Sequence, residues 1–178
     1  MRDHKRLGLF SLVALFSIIV SAQAMQETRQ ETSTVTANDL VGAWHLERVE
    51  GIRGDKVGQP FGSSVSGTLV YMPNGQMVVA WGRQDRAAPK DMTKTTPEEA
   101  AGIIKGFDAY WGTFEVDSVR GIVIHHVKGC LQPSVIGTDR IRNVSLVGDT
   151  LTLALKVPCP QCAPGEEIIL RLVWIRSR

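Results

Sequence analysis

Residues 65–82 read VSGTLVYMPNGQMVVAWG, and this stretch predicts two β-strands joined by a tight turn. The turn is Pro73-Asn74-Gly75, where Asn and Gly can take the positive φ angles that a tight hairpin needs. A long Gly-rich connection, residues 51–64, comes before this hairpin, and a long polar one, residues 83–94, comes after it. A tight turn between two long connections is typical of a meander whose short and long connections lie at opposite ends.

The rest of the chain continues this alternation of long and short connections. Six further segments have the apolar pattern and the flanking turn residues of strands. The eight predicted strands are residues 40–50, 65–72, 76–82, 110–116, 122–130, 138–146, 150–157 and 166–176. Eight consecutive strands can close into an up-and-down antiparallel barrel that holds one small ligand. We therefore expect an all-β cup with tight hairpins at a closed base and long connections around an open mouth.

One short helix is expected between the third and fourth predicted strands, over residues 97–109. Thr96 is a good N-cap, Pro97 suits the first helical position, and Glu99 completes a capping box. Four apolar side chains then share one helical face. They are Ala100, Ile103, Ile104 and Phe107. This face must cover something, and the barrel mouth is the nearest surface.

The first 24 residues have the three parts of a secretory signal peptide. Basic residues come first, an apolar run of 14 residues follows, and Ala22-Gln23-Ala24 is a small-x-small cleavage site. The alternative is an uncleaved membrane anchor, but a bilayer span needs roughly 20 apolar residues. Residues 25–38 are rich in Gln, Glu and Thr and predict a flexible arm, and the barrel domain is expected at residues 39–177. The protein is thus expected to be periplasmic or secreted.

The charge balance argues against nucleic acid as a partner. The chain has 20 basic and 18 acidic residues, and the leader holds three of the former and one of the latter. Cleavage would leave equal numbers, without the excess of basic charge that a polyanion requires. No membrane span is expected after cleavage, and the oligomeric state is left open.

Five short motifs occur in a characteristic order. They are Gly42-Ala43-Trp44, YMPNGQM at residues 71–77, YWGTF at 110–114, His125-His126-Val127, and RLVW at 171–174. With this spacing, residues 39–176 resemble the lipocalin-like domain family of the calycin group. The resemblance implies an eight-stranded barrel with a central apolar cavity. It implies no single activity, because calycins include carriers, inhibitors, isomerases and cyclases. The Thr-Asp-Tyr motif of the best-known lipocalins has no counterpart here.

The resemblance also implies a structural role for Trp44. In lipocalins, the Trp of the first strand packs at the closed end beneath an Arg of the last strand. The guanidinium makes a cation–π contact and donates hydrogen bonds to the N-terminal backbone. Either Arg171 or Arg176 could be this residue, because the choice depends on strand register.

His125 and His126 are neighbours on a predicted strand, so they face opposite sides of the sheet. The inward one could bind a ligand or act as a general acid or base, since its unperturbed pKa lies near neutrality. A buried structural histidine is the alternative. A zinc site is not expected, because the two side chains diverge and no further ligand cluster is evident.

Aromatic side chains near a barrel mouth commonly contact apolar ligands, although core packing is the alternative. The candidates for ligand binding are Tyr71, Trp81, Phe107, Tyr110, Phe114, His125 and His126. The two tyrosines could offer hydroxyl groups to a carbonyl or carboxylate. Arg83 and Arg86 could pair with an anionic head group, or they could be solvated loop charges.

The three cysteines are Cys130, Cys159 and Cys162. Export favours disulfides, and an odd count leaves one thiol over. A redox centre is less expected, because the C-x-x-C motif lies in a loop between strands rather than at a helix N-terminus. Both a bond from Cys130 across the mouth and a local Cys159–Cys162 bond remain possible.

An exported binder of a small hydrophobic or amphipathic molecule is the interpretation that these features favour. No catalytic residue is assigned and no cofactor is expected, because no nucleophile–base pair, phosphate loop or carboxylate pair stands out. An isomerase or cyclase would require the inward His to lie beside an inward Tyr or acid. An interaction module acting through the mouth loops would instead have a barrel filled with side chains.

Overall fold

Antiparallel strands make up most of the computed structural model, which describes residues 34–159 and 162–178. The elements are α1 (Ala37–Leu40), β1 (Gly42–Arg53), β2 (Lys56–Gly58), β3 (Val65–Tyr71), β4 (Gln76–Arg83), α2 (Pro97–Ile104), β5 (Phe107–Asp117), β6 (Ile122–Cys130), β7 (Asp139–Val147), β8 (Thr150–Pro158) and β9 (Glu167–Arg176). From β3 to β9, each strand pairs with the next. β1 pairs with both β3 and β9, which closes an eight-stranded barrel. The predicted fold class is confirmed.

β2 lies in a segment that was predicted from the sequence to be part of a loop. Its three residues pair only with the far end of β1, in the register Gly51 to Gly58 and Arg53 to Lys56. The connecting turn has Gly54 at a φ of 56°. All three residues of β2 are exposed. A strand with no buried face lacks the alternation of apolar and polar residues by which strands are predicted. The prediction that residues 51–64 form a loop was therefore wrong for the residues of β2.

The predicted helix forms but ends at Ile104 rather than Ala109. The Thr96 hydroxyl accepts from the backbone N–H of Glu99 at 3.2 Å, and the Glu99 carboxylate accepts from the N–H of Thr96 at 3.0 Å. Gly106 then turns the chain with a φ of 76°. Residues 107–109 pair with β4 instead of continuing the helix. The predicted C-terminus was wrong because strand pairing takes up these backbone groups.

The closed end of the barrel is filled by side chains from α1, β1 and β9. Leu40, Trp44 and Trp174 are almost completely buried there. Val35, in the segment expected to form a flexible arm, also belongs to this core. The predicted signal peptide lies outside the described residues. Within the described part, no helix has the length and apolar character needed to cross a bilayer.

Gly112 lies where the register between β5 and β6 shifts. A Cβ atom at this position would overlap the carbonyl oxygen of His126. We expect Gly112→Ala to lower the free energy of unfolding by about 2–3 kcal/mol, because the carbonyl cannot move without disturbing the ladder. Denaturant unfolding would measure this change. Gly58→Ala is the matched strand control, since its Cβ would meet no atom within 4 Å. Equal losses in the two variants would contradict the account.

Candidate functional site

The barrel encloses a cavity of about 620 Å³. Phe61, Ile104 and Gln132, which belong to the long connections or to α2, line its outer part, so the cavity opens at the mouth. Aliphatic side chains from several strands form part of its wall. They include Leu69, Val79, Leu153, Leu155, Leu170 and Leu172. The barrel is therefore not filled by its own side chains.

His125 points into the barrel and bridges two tyrosines. Its Nε2 lies 2.7 Å from the Tyr71 hydroxyl, and its Nδ1 lies 2.7 Å from the Tyr110 hydroxyl. The three residues come from β6, β3 and β5, and only 1% of His125 is exposed. A neutral imidazole has one donor and one acceptor nitrogen. One tyrosine therefore donates to the ring, and the other accepts from it.

Burial makes this trio neutral. It lowers the pKa of His125 from the ordinary 6.5 to about 3, and the positive charges of Arg142 and Arg140 add to the shift. Burial also raises the pKa of Tyr110 and raises that of Tyr71 well above the ordinary value. At neutral pH the three side chains are thus uncharged and joined by hydrogen bonds. They do not form an ion pair between an imidazolium and a phenolate.

Two arginines on β7 also line the cavity. Arg140 donates to Asp108 at 2.7 Å, and its guanidinium lies 4.5 Å from the centre of the Tyr110 ring. Arg142 donates to the carbonyl oxygen of Ile141 at 3.0 Å. Within residues 34–159 and 162–178, Arg142 forms no ion pair with a carboxylate, in contrast to Arg140. Burial lowers the pKa of Arg142, but a guanidinium remains charged at neutral pH.

Sequence reasoning missed both arginines, although a signal was present. Alternation along β7 places Arg140 and Arg142 on the same face as Val144 and Leu146, and these four residues are all partly buried. The residues between them are exposed. Strand parity could therefore have identified two basic side chains on the inner face.

Two polar atoms of the cavity-lining residues have no hydrogen-bond partner in the described part of the chain. They are Asp108 Oδ1 and Trp174 Nε1, and both atoms are buried. Buried polar groups are normally satisfied by protein or water. These atoms therefore leave one acceptor and one donor beside the cavity.

The structure brings four of the seven predicted ligand-binding residues to the cavity wall: Trp81, Phe107, Tyr110 and His125. Tyr71 and Phe114 are buried but do not line the cavity, and their rings pack 4.5 Å apart. His126 faces outward, with Nδ1 2.6 Å from Asp139 Oδ1 and Nε2 3.6 Å from Glu115 Oε1. It is excluded from the cavity because neighbouring strand residues point to opposite faces.

Arg83 and Arg86 do not line the cavity either. Arg83 pairs with Asp85 at 2.8 Å. Arg86 donates to the carbonyl oxygens of Arg83 and Ile103 at 2.8 and 3.1 Å. Both cations are thus engaged with their own loop or with α2.

Arg176, not Arg171, lies over Trp44 at the closed end. Its guanidinium is 4.1 Å from the ring centre and donates to the carbonyl oxygens of Val41 and Asp39 at 3.0 and 2.8 Å. The β1–β9 register pairs Trp44 with Arg176, whereas Arg171 lies further along and binds Glu50 at 3.2 Å. The strand register, which the sequence left open, therefore places Arg176 rather than Arg171 against Trp44.

Cys159 and Cys162 form a disulfide, and Cys130 is a free thiol. The Cα atoms of the bonded pair are 5.3 Å apart, which suits a disulfide. Of the two arrangements that the sequence allowed, the structure thus contains the local one, and in the described part of the chain no disulfide links the two mouth loops. Among the described residues, no cluster of His, Cys, Asp and Glu is suited to hold a metal ion.

A closed eight-stranded antiparallel barrel around an open cavity is the architecture of a lipocalin-like protein. The family model described as "Lipocalin-like domain" matches residues 41–177. The chain therefore belongs to this family, which confirms the resemblance that its sequence motifs indicated. No curated protein matches the chain.

Proposed function

We propose that this protein is exported and binds one small hydrophobic or amphipathic molecule in the barrel cavity. The observation that carries the proposal is the cavity itself. Its volume of about 620 Å³ suits a small ligand, since ligand sites typically measure roughly 300–1,000 Å³. Aliphatic walls with a few polar groups would bury a ligand and fix its orientation.

The energetics favour a ligand with a substantial apolar part. Burial of apolar surface contributes about 25 cal/mol per Å², so about 300 Å² of ligand surface would contribute roughly 7 kcal/mol. Part of this is offset by the loss of ligand freedom on binding. The unpartnered Trp174 Nε1 and Asp108 Oδ1 would suit a molecule that also carries polar groups.

Two features support export. The sequence begins with the basic, apolar and small-x-small pattern of a signal peptide. The disulfide between Cys159 and Cys162 is a bond that persists mainly in oxidising compartments.

Filling the cavity should weaken binding strongly. Leu170 lines the cavity, whereas its neighbour Ile169 is 40% exposed. We expect Leu170→Trp to weaken the binding of an environment-sensitive amphipathic dye by at least about tenfold. The larger indole ring would take up space inside the cavity, and the apolar contacts that the dye loses would cost about 1.4 kcal/mol or more. Fluorescence titration measures this affinity. Ile169→Trp adds a similar ring to the outer face and should bind the dye as the wild type does. Equal affinities in all three proteins would contradict a site in the barrel.

A second candidate function, an isomerase or cyclase, is favoured by one observation. The inward His125 lies 2.7 Å from the hydroxyls of both Tyr71 and Tyr110. With a pKa of about 3, this histidine is a weak base, and burial raises the pKa of Tyr110, so Tyr110 would donate a hydrogen bond to a ligand oxygen rather than transfer its proton. Incubating a ligand recovered from the protein with wild type and with His125→Gln separates the two functions. A binder returns the ligand unchanged, whereas an enzyme converts it only when His125 is present.

A further inference from the structure

The cavity carries more positive than negative charge. Four basic residues line it, Lys105, Arg140, Arg142 and Lys156, against two acidic ones, Asp108 and Asp139. Arg140 binds Asp108 at 2.7 Å, and Asp139 binds the outward His126 at 2.6 Å. Both acids thus have partners other than Arg142, and Arg142 forms no ion pair with a carboxylate in the described structure.

A largely buried guanidinium without a carboxylate partner requires an explanation, because burying an unpaired ion is costly. Arg142 lies on the same face of β7 as Val144 and Leu146. An aliphatic residue there would continue the apolar wall and avoid the penalty. Arg142 instead lines the cavity. A guanidinium has five N–H donors, and the bond to the Ile141 carbonyl oxygen uses only one of them.

Tyr110 provides a second donor near Arg142. Tyr110 lines the same cavity, and its hydroxyl lies 2.7 Å from His125 Nδ1. When the neutral imidazole carries its proton on Nδ1, that N–H donates to the Tyr110 oxygen, and the hydroxyl proton of Tyr110 is free to donate to a ligand. His125 is neutral at pH 7, because its pKa is lowered to about 3, so it adds no charge to the site.

We infer that the cavity selects an anionic amphiphile, whose oxyanion head group is bound by Arg142 and Tyr110 and whose apolar tail lies along the leucine-lined walls. This inference rests on the proposed function and specifies its class of ligand. A guanidinium suits such a head group because it can bind two oxygens of a carboxylate or sulfonate at once. Arg140 is held by Asp108 and acts by positioning Tyr110 beneath its guanidinium.

Three probes with the same ten-carbon chain and different head groups test this inference: decanoate, decanol and decyltrimethylammonium. Each is titrated by calorimetry into the purified protein and into Arg142→Met and Arg142→Lys. We expect the wild type to prefer decanoate, and Arg142→Met to lose about 10- to 150-fold in decanoate affinity, as is usual for hydrogen bonds to a charged group. Arg142→Met should lose much less affinity for decanol than for decanoate, and this retained decanol binding shows that the variant is folded. Arg142→Lys should keep a preference for decanoate.

The outcomes separate this inference from the proposed function. Equal affinity of the wild type for decanoate and decanol, unchanged in Arg142→Met, would overturn the anion selectivity and leave small-molecule binding intact. Preference for decyltrimethylammonium would also overturn it. Binding of none of the three probes, with a native unfolding transition, would contradict the proposed function itself.

Discussion

Replacing Trp44 with alanine is expected to lower the free energy of unfolding by about 3–5 kcal/mol, the usual range for a buried tryptophan. Trp44 is completely buried at the closed end, and its Nε1 donates to the carbonyl oxygen of Leu40 at 2.9 Å. The ring also supports the Arg176 guanidinium, which binds the backbone of residues 39 and 41. Removing the ring therefore leaves a void and releases the contacts that hold α1 against the barrel.

Trp111→Ala is the matched control, because Trp111 is on the outer face of β5 and is 57% exposed. Its ring packs beside Gly129, so a loss of at most about 1 kcal/mol is expected. Urea unfolding followed by circular dichroism measures both variants. Comparable losses in Trp44→Ala and Trp111→Ala would mean that Trp44 does not close the base of the barrel.

Acidification is expected to destabilise the protein through His125. Its pKa is about 3 in the folded state and 6.5 when exposed, so the unfolded chain binds a proton that the folded barrel excludes. The part of the stability that depends on a neutral His125 is fully present above about pH 7. It is lost as the pH falls through 6.5 toward 3. We expect a loss of about 2 kcal/mol between pH 7.5 and pH 5, at 1.36 kcal/mol per pH unit once below the unfolded pKa.

The pH range of this loss distinguishes an effect of His125 from an effect of the carboxylates. Asp85 and Asp117 have lowered pKa values because of hydrogen bonds to Arg83 and Arg120, so their contribution is lost mainly below about pH 5. Unfolding measured at pH 7.5, 6 and 5 should show the loss in the wild type and in His126→Gln, whose imidazole lies outside the barrel. His125→Gln should lose this pH dependence, and its persistence there would assign the effect to another group.

The meander and most strand positions could be predicted because their signals are local. Asn74-Gly75 marks a turn that almost any context would preserve, and β6 has the predicted limits, residues 122–130. The end of α2 was misplaced because Phe107 suits the apolar face of a helix and an inward position of a strand equally. Only pairing with β4, which is a contact distant in sequence, decides between the two.

The candidate site was predictable only in part, for the same physical reason. The sequence identified His125, Tyr71 and Tyr110 as candidates, but the trio depends on three strands being in register. Arg142 was missed because a charged residue in a strand usually faces solvent. The absence of a carboxylate partner for Arg142 within the described chain is a property of the assembled barrel and not of any local motif.

Native mass spectrometry of the protein purified from its own source, without denaturation, would show whether the barrel cavity holds a small molecule. We expect one small molecule bound per polypeptide, and we expect the same preparation of Leu170→Trp to lack this molecule. An amphipathic anion as the released species would also agree with the role of Arg142. Bare polypeptide as the only species in the wild type, or a small molecule equally retained by Leu170→Trp, would contradict a binding site in the barrel cavity.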